Sequence, residues 1–424
     1  MDQQQRRGGS YQAWLVGLLS LNFGILFFDR NSLNFLMTFV QPDLHLSNSQ
    51  VGTVAGIFSF AWALAAFGIS RISDVIGNRK LLLVIATLAF SACSFLTGLA
   101  SSFAMMIGAR IVMGIAEGGV MPISHAIVAD EVDPQHRGLA QGIAQNFGSN
   151  FFGSFVAPVV LVWVAQHYGW RNAFYIAGIP GLLSATLLWF FIKEPLALPA
   201  KSQAAARPQF GEALAGWLRA VGEALKVRNV LICVVMGILL VAYLVICWAF
   251  MQLYLTKVRG FSAGEASWLM GTLGLSATLG SFLIAGLSDQ IGRRPVMIAM
   301  PLIAAILPLG AMFWQGSYLG MSAIFFIGWG LNGVFPLFMA TIPSESVRPE
   351  QAATVFGLCM GSCEIVGGAA GPQVAGWLAD AYGLAAPLWM MLALCLLAGL
   401  CAFGLIESAP RVLGRKSAIS AIAI

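Results

Sequence analysis

Apolar segments of roughly 20 residues recur along the chain, and they constrain its fold more than any other feature. A helix needs about 20 residues to cross about 30 Å of hydrocarbon. β-barrel strands would instead alternate polar and apolar residues over about ten positions. The sequence therefore predicts an all-α membrane protein with twelve transmembrane helices, near residues 14–37, 50–71, 81–100, 103–128, 138–162, 172–192, 229–256, 264–287, 296–314, 318–341, 352–378 and 385–406.

Composition and charge support this class. Of the 424 residues, 58% are hydrophobic and 10% are charged. The net charge of +5 does not indicate a nucleic-acid partner, because the basic residues mark topology instead. If both termini are cytoplasmic, all but five of the 23 Lys and Arg lie on cytoplasmic segments, as the positive-inside rule requires. The five are Arg171, Lys257 and Arg259 outside, and Arg30 and Arg110 within the membrane. We expect a bacterial-type plasma (inner) membrane location.

The motifs of several other protein classes are missing. The seven cysteines lie within predicted helices and show neither a disulfide framework nor a zinc spacing. Walker A, HExxH and GxSxG sequences do not occur, so the chain lacks the usual signatures of ATP-driven pumps and hydrolases. The apolar stretch after the N-terminus is too long for a signal peptide and has no small-residue cleavage site, so we expect it to be retained. The sequence predicts no enzyme activity, no cofactor and no metal.

The longest polar stretch divides the chain. Residues 193–228 separate six predicted helices from six, giving an N-terminal bundle (1–192) and a C-terminal bundle (229–424). Within this linker, apolar residues recur at helical spacing, which predicts either a short amphipathic helix on the inner membrane surface or a tether with some helical character. Those apolar residues are Phe210, Leu214, Leu218, Val221 and Leu225.

The two halves are related by a sequence repeat. SDVIGNR (73–79) and SDQIGRR (288–294) agree at five of seven positions. The offset that places Ser73 on Ser288 also aligns Pro134 with Pro349, Gly142 with Gly357 and Gly118 with Gly333. The matches fall at equivalent places in the predicted topology. We therefore expect a tandem duplication that forms two pseudo-symmetric six-helix bundles around a central axis.

The repeated loop resembles that of a known superfamily. SRISDVIGNRK (70–80) is similar to the G-x-L-A-D-R-x-G-R-K-type loop of the major facilitator superfamily, with Ser70, Val75 and Asn78 as departures, and AGLSDQIGRR (285–294) is closer. A carboxylate near a helix end can meet a helix N-terminus and arginines, forming a latch that breaks during a conformational change. The resemblance implies the fold of that superfamily and a gating role for Asp74, Gly77, Arg79, Asp289, Gly292 and Arg294.

Five ionisable residues fall within predicted helices, where each needs a partner or a water-filled cavity. They are Asp29 and Arg30 in the first helix, Arg110 and Glu117 in the fourth, and Glu364 in the eleventh. Arg110 and Glu117 are two helical turns, about 10 Å, apart on one face. An anion binding between the two arginines would release a carboxylate from its cation and favour protonation of that carboxylate. We therefore expect Asp29 and Glu117 to couple protons, and Arg30 and Arg110 to bind an anionic substrate.

A permanently paired cluster that only holds the first and fourth helices together is the alternative. The repeat argues against it, because the equivalent positions in the second half carry no charge. At the repeat offset, Glu117 corresponds to Asn332, Asp29 to Leu244, Arg30 to Val245 and Arg110 to Phe325.

A narrower resemblance follows from these residues. FDRNSLNF (28–35) is similar to the D-R-x-x-L signature of the anion:cation symporter family, and Arg110 to Glu117 matches its R-x6-E pattern. The resemblance implies an anion-binding Arg30, proton-linked Asp29 and Glu117, and Arg110 as their electrostatic partner. The seventh helix lacks the Arg that vesicular glutamate carriers hold there, which favours a monocarboxylate.

Weaker candidates complete the predicted site. Gln145, Asn332 and Glu364 are polar residues that hydrogen-bond either a substrate or a neighbouring helix. Tyr243, Trp248, Phe58 and Trp62 are candidates for apolar walls. The sequence thus predicts proton-coupled uptake of an organic anion, an aromatic or sugar acid, by a monomeric transporter whose two halves rock around a central site. A proton-driven efflux antiporter and a receptor that does not transport remain as alternatives.

Overall fold

The computed structural model describes residues 8–76, 78–133, 135–194, 219, 221–348 and 351–412, and these are almost entirely helical. The prediction of twelve spans is confirmed, because eleven helices are long and apolar enough to cross a membrane and a twelfth has 17 residues. We label them α1 Gly9–Asp43, α2 Asn48–Ile76, α3 Arg79–Gly98, α4 Phe103–Glu131, α5 Leu139–Tyr168, α6 Trp170–Phe191, α7 Arg228–Lys257, α8 Ala263–Ile291, α9 Arg293–Phe313, α10 Tyr318–Glu345, α11 Thr354–Tyr382 and α12 Ala386–Ala402.

Large apolar side chains cover the outside of these helices. Phe190, Leu283 and Leu400 are 73%, 66% and 63% exposed. Such surfaces are costly in water but are matched by lipid chains. With the lengths of the helices, they define a multi-pass membrane protein.

Several helices contain breaks or π-helical segments, and in α4 and α11 these lie at an intramembrane carboxylate. α4 consists of two segments, Phe103–Gly118 and Val120–Glu131, because Pro122 has no N–H to offer the carbonyl of Gly118. The break directly follows Glu117. α5, α10 and α11 contain π-helical segments, which are frequent at functional sites; these are Ile143–Phe147, Phe151–Val156, Leu337–Thr341 and Cys363–Ala370.

The chain forms two compact units. Among the described residues, the first unit contains α1 to α6 together with Trp248–Thr278 and Pro372–Leu384, and the second contains the others. α7, α8 and α11 each contribute to both units. The division into bundles 1–192 and 229–424 stays a prediction, and most of the linker that separates them, including Phe210, Leu214 and Leu218, lies outside the described residues.

Glycines bring α2 and α4 into close contact in the first unit. A Cβ atom on Gly114 would lie 2.8 Å from the carbonyl oxygen of Phe58, and one on Gly118 would lie 2.7 Å from that of Trp62. Only glycine allows the two backbones to approach this closely. The contact places the aromatic ring of Phe58 on α2 beside Arg110 of α4.

Candidate functional site

Asp29 lies inside the first unit, on the buried face of α1. Its side chain is 0% exposed. The Ser94 hydroxyl on α3 donates a hydrogen bond to Asp29 Oδ1, whereas Oδ2 has no hydrogen-bond partner among the described residues. A buried carboxylate with so few donors is costly to keep charged. Asp29 therefore has few contacts that would stabilise a negative charge.

Arg110 reaches from α4 to α1. Its Nη1 donates to the backbone carbonyl of Arg30 at 3.1 Å and contacts Met113 Sδ at 3.3 Å. Its Nε has no partner in the described part of the chain. The guanidinium attracts Asp29 and Glu117 electrostatically, but no ion pair between these described residues joins it to either carboxylate. Arg110 thus keeps donor capacity for a further acceptor.

Glu117 is also fully buried, at the break in α4. Neither of its carboxylate oxygens has a hydrogen-bond partner among the described residues. Its main electrostatic support comes from Arg30, followed by Arg110, and the charge of Asp29 opposes it. The stability of a charge on Glu117 therefore depends on two arginines that do not contact it directly.

The guanidinium of Arg30 lies within a cage of three aromatic rings. Its central carbon is 4.6 Å from the ring centroid of Phe58, 5.3 Å from that of Phe27 and 5.5 Å from that of Trp62. Arg110 lies over the same Phe58 ring at 5.7 Å. Stacking on ring faces leaves the edge of a guanidinium, where its N–H groups point, available to a carboxylate. The predicted substrate arginines and aromatic walls of α1, α2 and α4 therefore lie together.

Gln145 of α5 lies against α4. Its side-chain nitrogen contacts Met121 Sδ at 3.6 Å. Met121 follows Glu117 by one helical turn. Trp248 also belongs to the first unit, where its ring packs edge-on against Phe35 at 5.7 Å.

The remaining substrate candidates belong to the second unit. Tyr243 is fully buried; its hydroxyl donates to the carbonyl of Ala304 at 3.0 Å, and its ring stacks on Trp329. Its hydroxyl is thus engaged with the protein itself. Asn332 is half-buried in the 3₁₀ turn Gly330–Val334, and Glu364 is half-buried in the π-helical segment of α11.

Gating candidates that the structure describes take part in two similar networks, one in each unit. In the first, Arg79 pairs with Asp130, and the carboxylate of Glu194 accepts the backbone N–H groups of Arg79 and Lys80 at 2.8 and 3.0 Å. The side chain of Asp74 and all of Gly77 lie outside the described residues.

In the second network, Arg293 bonds Asp289 at 2.6 Å and Glu345 at 3.0 Å. Glu407 accepts the backbone N–H groups of Arg293 and Arg294 at 2.8 and 3.1 Å. Gly292 precedes them with a φ of +113°, which an L-residue rarely adopts. Burial raises the pKa of Glu407, but four backbone N–H donors, from Ala409, Arg293, Arg294 and Ser408, offset this and hold the pKa below its ordinary range.

Sequence reasoning missed several members of these networks. Asp130 and Glu345 are separated by the same offset as the two copies of the loop motif, so that signal was present in the sequence. Glu194 and Glu407 are slightly closer together than that offset and lie outside the recognised loop motif. The contact between Ser94 and Asp29 was also missed. Ser94 carries no signal of its own, because a serine within an apolar helix is most often a helix-packing residue.

Comparison with known proteins identifies the superfamily. The family model of the Major Facilitator Superfamily matches residues 19–263 and 245–422. The chain belongs to this superfamily, and it is a membrane transporter rather than an enzyme. The superfamily and the fold predicted from the sequence are therefore confirmed.

Individual relatives and one solved structure agree with this assignment. The chain is 26% identical over 348 residues to a "probable 4-methylmuconolactone transporter" of Cupriavidus pinatubonensis, covering 80% of this chain and 79% of the relative. It is 24% identical over 420 residues to a D-galactonate transporter of Escherichia coli, covering 92% and 94%. An MFS-type efflux pump of Mycolicibacterium smegmatis is also among the relatives, 25% identical over 382 residues. A bacterial homologue of the human lysosomal transporter Spinster has the same fold, with a TM-score of 0.74, 21% identity and coverage of 94% and 97%.

Proposed function

We propose that the protein imports an organic monocarboxylate together with protons across a bacterial-type inner membrane, as a monomer with both termini in the cytoplasm. The observation that carries the proposal is Glu117, a fully buried carboxylate without a hydrogen-bond donor on either oxygen among the described residues. Its charge depends on Arg30 and Arg110, the two groups best suited to an anionic substrate. The negative charge of Glu117 and an anionic substrate thus compete for the same electrostatic support.

This competition provides a coupling mechanism. When the site is empty, the arginines stabilise the negative charge of Glu117 through space. A carboxylate substrate that binds the free edge of Arg30 and Arg110 Nε neutralises part of that positive charge. Glu117 then favours its protonated form, so substrate binding and proton uptake promote each other. Alternating exposure of the loaded site would move both across the membrane.

The substrate class follows from the surroundings of Arg30. One guanidinium edge accommodates one carboxylate, and the rings of Phe58, Trp62 and Phe27 offer apolar faces to the rest of the molecule. Aromatic rings and the CH faces of sugars both pack on such surfaces. We therefore favour an aromatic acid or a sugar acid. The relatives named as a D-galactonate transporter and a probable 4-methylmuconolactone transporter are compatible with this class.

Internal pH in proteoliposomes tests the proposal directly. Purified protein is reconstituted with a trapped pH dye, and aromatic acids, sugar acids, short carboxylates and cationic drugs are added outside at equal pH on both sides. We expect acidification with one class of carboxylate and none in protein-free vesicles. Alkalinisation with a cationic drug would indicate an efflux antiporter instead, and substrate binding without any flux would indicate a receptor.

A further inference from the structure

α1 and α3 are joined by two buried polar contacts with the same spacing on both helices. The Thr87 hydroxyl lies 3.3 Å from Asn22 Oδ1, and the Ser94 hydroxyl donates to Asp29 Oδ1. Both pairs are 65 residues apart in sequence. The two contacts therefore lie on one face of each helix, about 10 Å apart along parallel axes. All four side chains are fully buried.

The backbone around Asp29 is held independently of its side chain. The Ser32 hydroxyl donates to the carbonyl of Asp29 at 2.6 Å, and the amide of Asn31 donates to the carbonyl of Gly153 on α5 at 3.1 Å. These bonds fix the position of α1 beside α5. The orientation of the Asp29 carboxylate is then decided by its own contacts, of which the hydrogen bond from Ser94 is the direct one.

A serine hydroxyl suits a group that exchanges a proton. It donates to a carboxylate and, after rotation, accepts from a carboxylic acid, so the contact persists in both protonation states. The hydrogen bond to the charged form is the stronger of the two. Losing the hydroxyl should therefore penalise the charged form more than the neutral one. We propose that Ser94 is a positioning residue that sets how tightly Asp29 holds its proton.

The other charged groups near Asp29 do not replace this contact. Arg110 and Glu117 face it from α4, Arg30 follows it on α1, and the thiol of Cys93 faces it from α3. Under the proposed function, a bound substrate neutralises part of the positive charge of the two arginines. Their electrostatic effect on Asp29 therefore changes whenever substrate binds. Ser94 is not among the residues proposed to bind the substrate, so we expect its hydrogen bond to Asp29 to persist when the site is occupied. Ser94 would thus set the proton affinity of Asp29 in the absence of substrate, and substrate binding would change that affinity.

Ser91 provides a matched control. It lies on the same helix, one turn before Ser94, and is equally buried. Its hydroxyl lies against Gly181 of α6 and has no hydrogen-bond partner among the described residues. Ser91→Ala and Ser94→Ala therefore remove the same atom from the same helix, but only Ser94→Ala removes a donor to Asp29. Ser94→Thr keeps the hydroxyl and serves as the rescue variant.

The test measures the rate of substrate-driven acidification of proteoliposomes as a function of external pH. It rests on the proposed proton symport. Uptake falls at high external pH because the carboxyl group of Asp29 must be protonated from outside. We expect Ser94→Ala to move the half-maximal pH upward by about one unit, since one hydrogen bond to a charged group is of that size. Its maximal rate should fall because proton release inside is slower. Ser91→Ala and Ser94→Thr should keep the wild-type midpoint.

The outcomes separate this inference from the proposed function. An unshifted midpoint in Ser94→Ala, beside a wild-type protein that acidifies normally, would overturn the role of Ser94 alone. Equal upward shifts in Ser94→Ala and Ser91→Ala would also overturn it, because they would reflect a general change in packing of α3. A wild-type protein that produces no acidification with any carboxylate would overturn the proposed symport, and this inference with it.

Discussion

The carboxylate of Glu407 caps α9 at Arg293, with Oε1 2.8 Å from the backbone nitrogen of that residue. Glu194 caps α3 at Arg79 with the same distance. In each half of the chain, a glutamate that follows the last helix of six holds the N-terminus of the third. A carboxylate at a helix N-terminus satisfies N–H groups that have no partner within the helix and interacts favourably with the helix dipole. The repeat therefore retains a structural anchor as well as the loop motif.

The cap predicts a pH-dependent contribution to stability. The pKa of Glu407 is lower in the folded protein than its ordinary value because four backbone N–H groups stabilise the charge. Its contribution is therefore complete above the unfolded pKa, about 4.3, and is lost as pH falls through the folded pKa. Glu407→Gln should lower the free energy of unfolding by about 0.5–1 kcal/mol at pH 7, since the group is partly solvated.

Thermal unfolding in detergent at pH 7 and near pH 4 checks this prediction. The difference between wild type and Glu407→Gln should shrink as the pH falls, because protonated Glu407 resembles the amide. Glu223, which is exposed, offers the control: Glu223→Gln should have the melting temperature of wild type at both values. A Glu407→Gln variant with the wild-type melting temperature at pH 7 would contradict the stabilising role of the cap.

Gly118 predicts a steric effect on the site. In Gly118→Ala, the new Cβ would lie 2.7 Å from the carbonyl oxygen of Trp62 and 2.8 Å from Ala65 Cβ, so α4 must move away from α2. Such overpacking typically costs about 1–3 kcal/mol, and here it would shift Glu117, which directly precedes Gly118 on α4. We expect a lower melting temperature and a loss of transport.

Gly108 is the matched control for this change. It lies on the same helix, but a Cβ at Gly108 would have no atom within 4 Å. Gly108→Ala should therefore be neutral or slightly stabilising, because alanine has a higher helix propensity than glycine. If both variants kept full uptake and stability, the close approach of α2 and α4 would not be required.

The sequence predicted some parts of this arrangement and not others, for identifiable physical reasons. Helix number follows from apolar length, and the shared face of Arg110 and Glu117 follows from helical periodicity, so both are local properties. The contact between Asp29 and Ser94 requires knowing that α1 and α3 are neighbours in register, which no local pattern supplies. The cage around Arg30 depends on the glycines of α4 that bring Phe58 and Trp62 close.

Arg30→Lys tests whether the site needs a guanidinium or only a positive charge. Lysine keeps the charge but loses the planar fork that binds a carboxylate with two hydrogen bonds and stacks on the rings of Phe58 and Trp62. We expect KM for the substrate to rise about tenfold or more, which corresponds to about 1.4 kcal/mol or more. Arg171→Lys, at the exposed pair with Asp43, should leave KM unchanged. An unchanged KM in Arg30→Lys would remove Arg30 from the substrate site.

Glu117→Gln separates proton coupling from substrate movement. Glutamine mimics the protonated carboxyl in shape, and the repeat places an amide, Asn332, at the corresponding position, so we expect the variant to fold. The permanently neutral side chain should still allow exchange of labelled for unlabelled substrate across the membrane. It should abolish accumulation driven by a proton gradient, because no proton can be released inside. Parallel exchange and accumulation assays in proteoliposomes would distinguish substrate movement from proton coupling. Gradient-driven accumulation at the wild-type level would show that Glu117 does not carry the coupled proton, and coupling would then have to depend on Asp29.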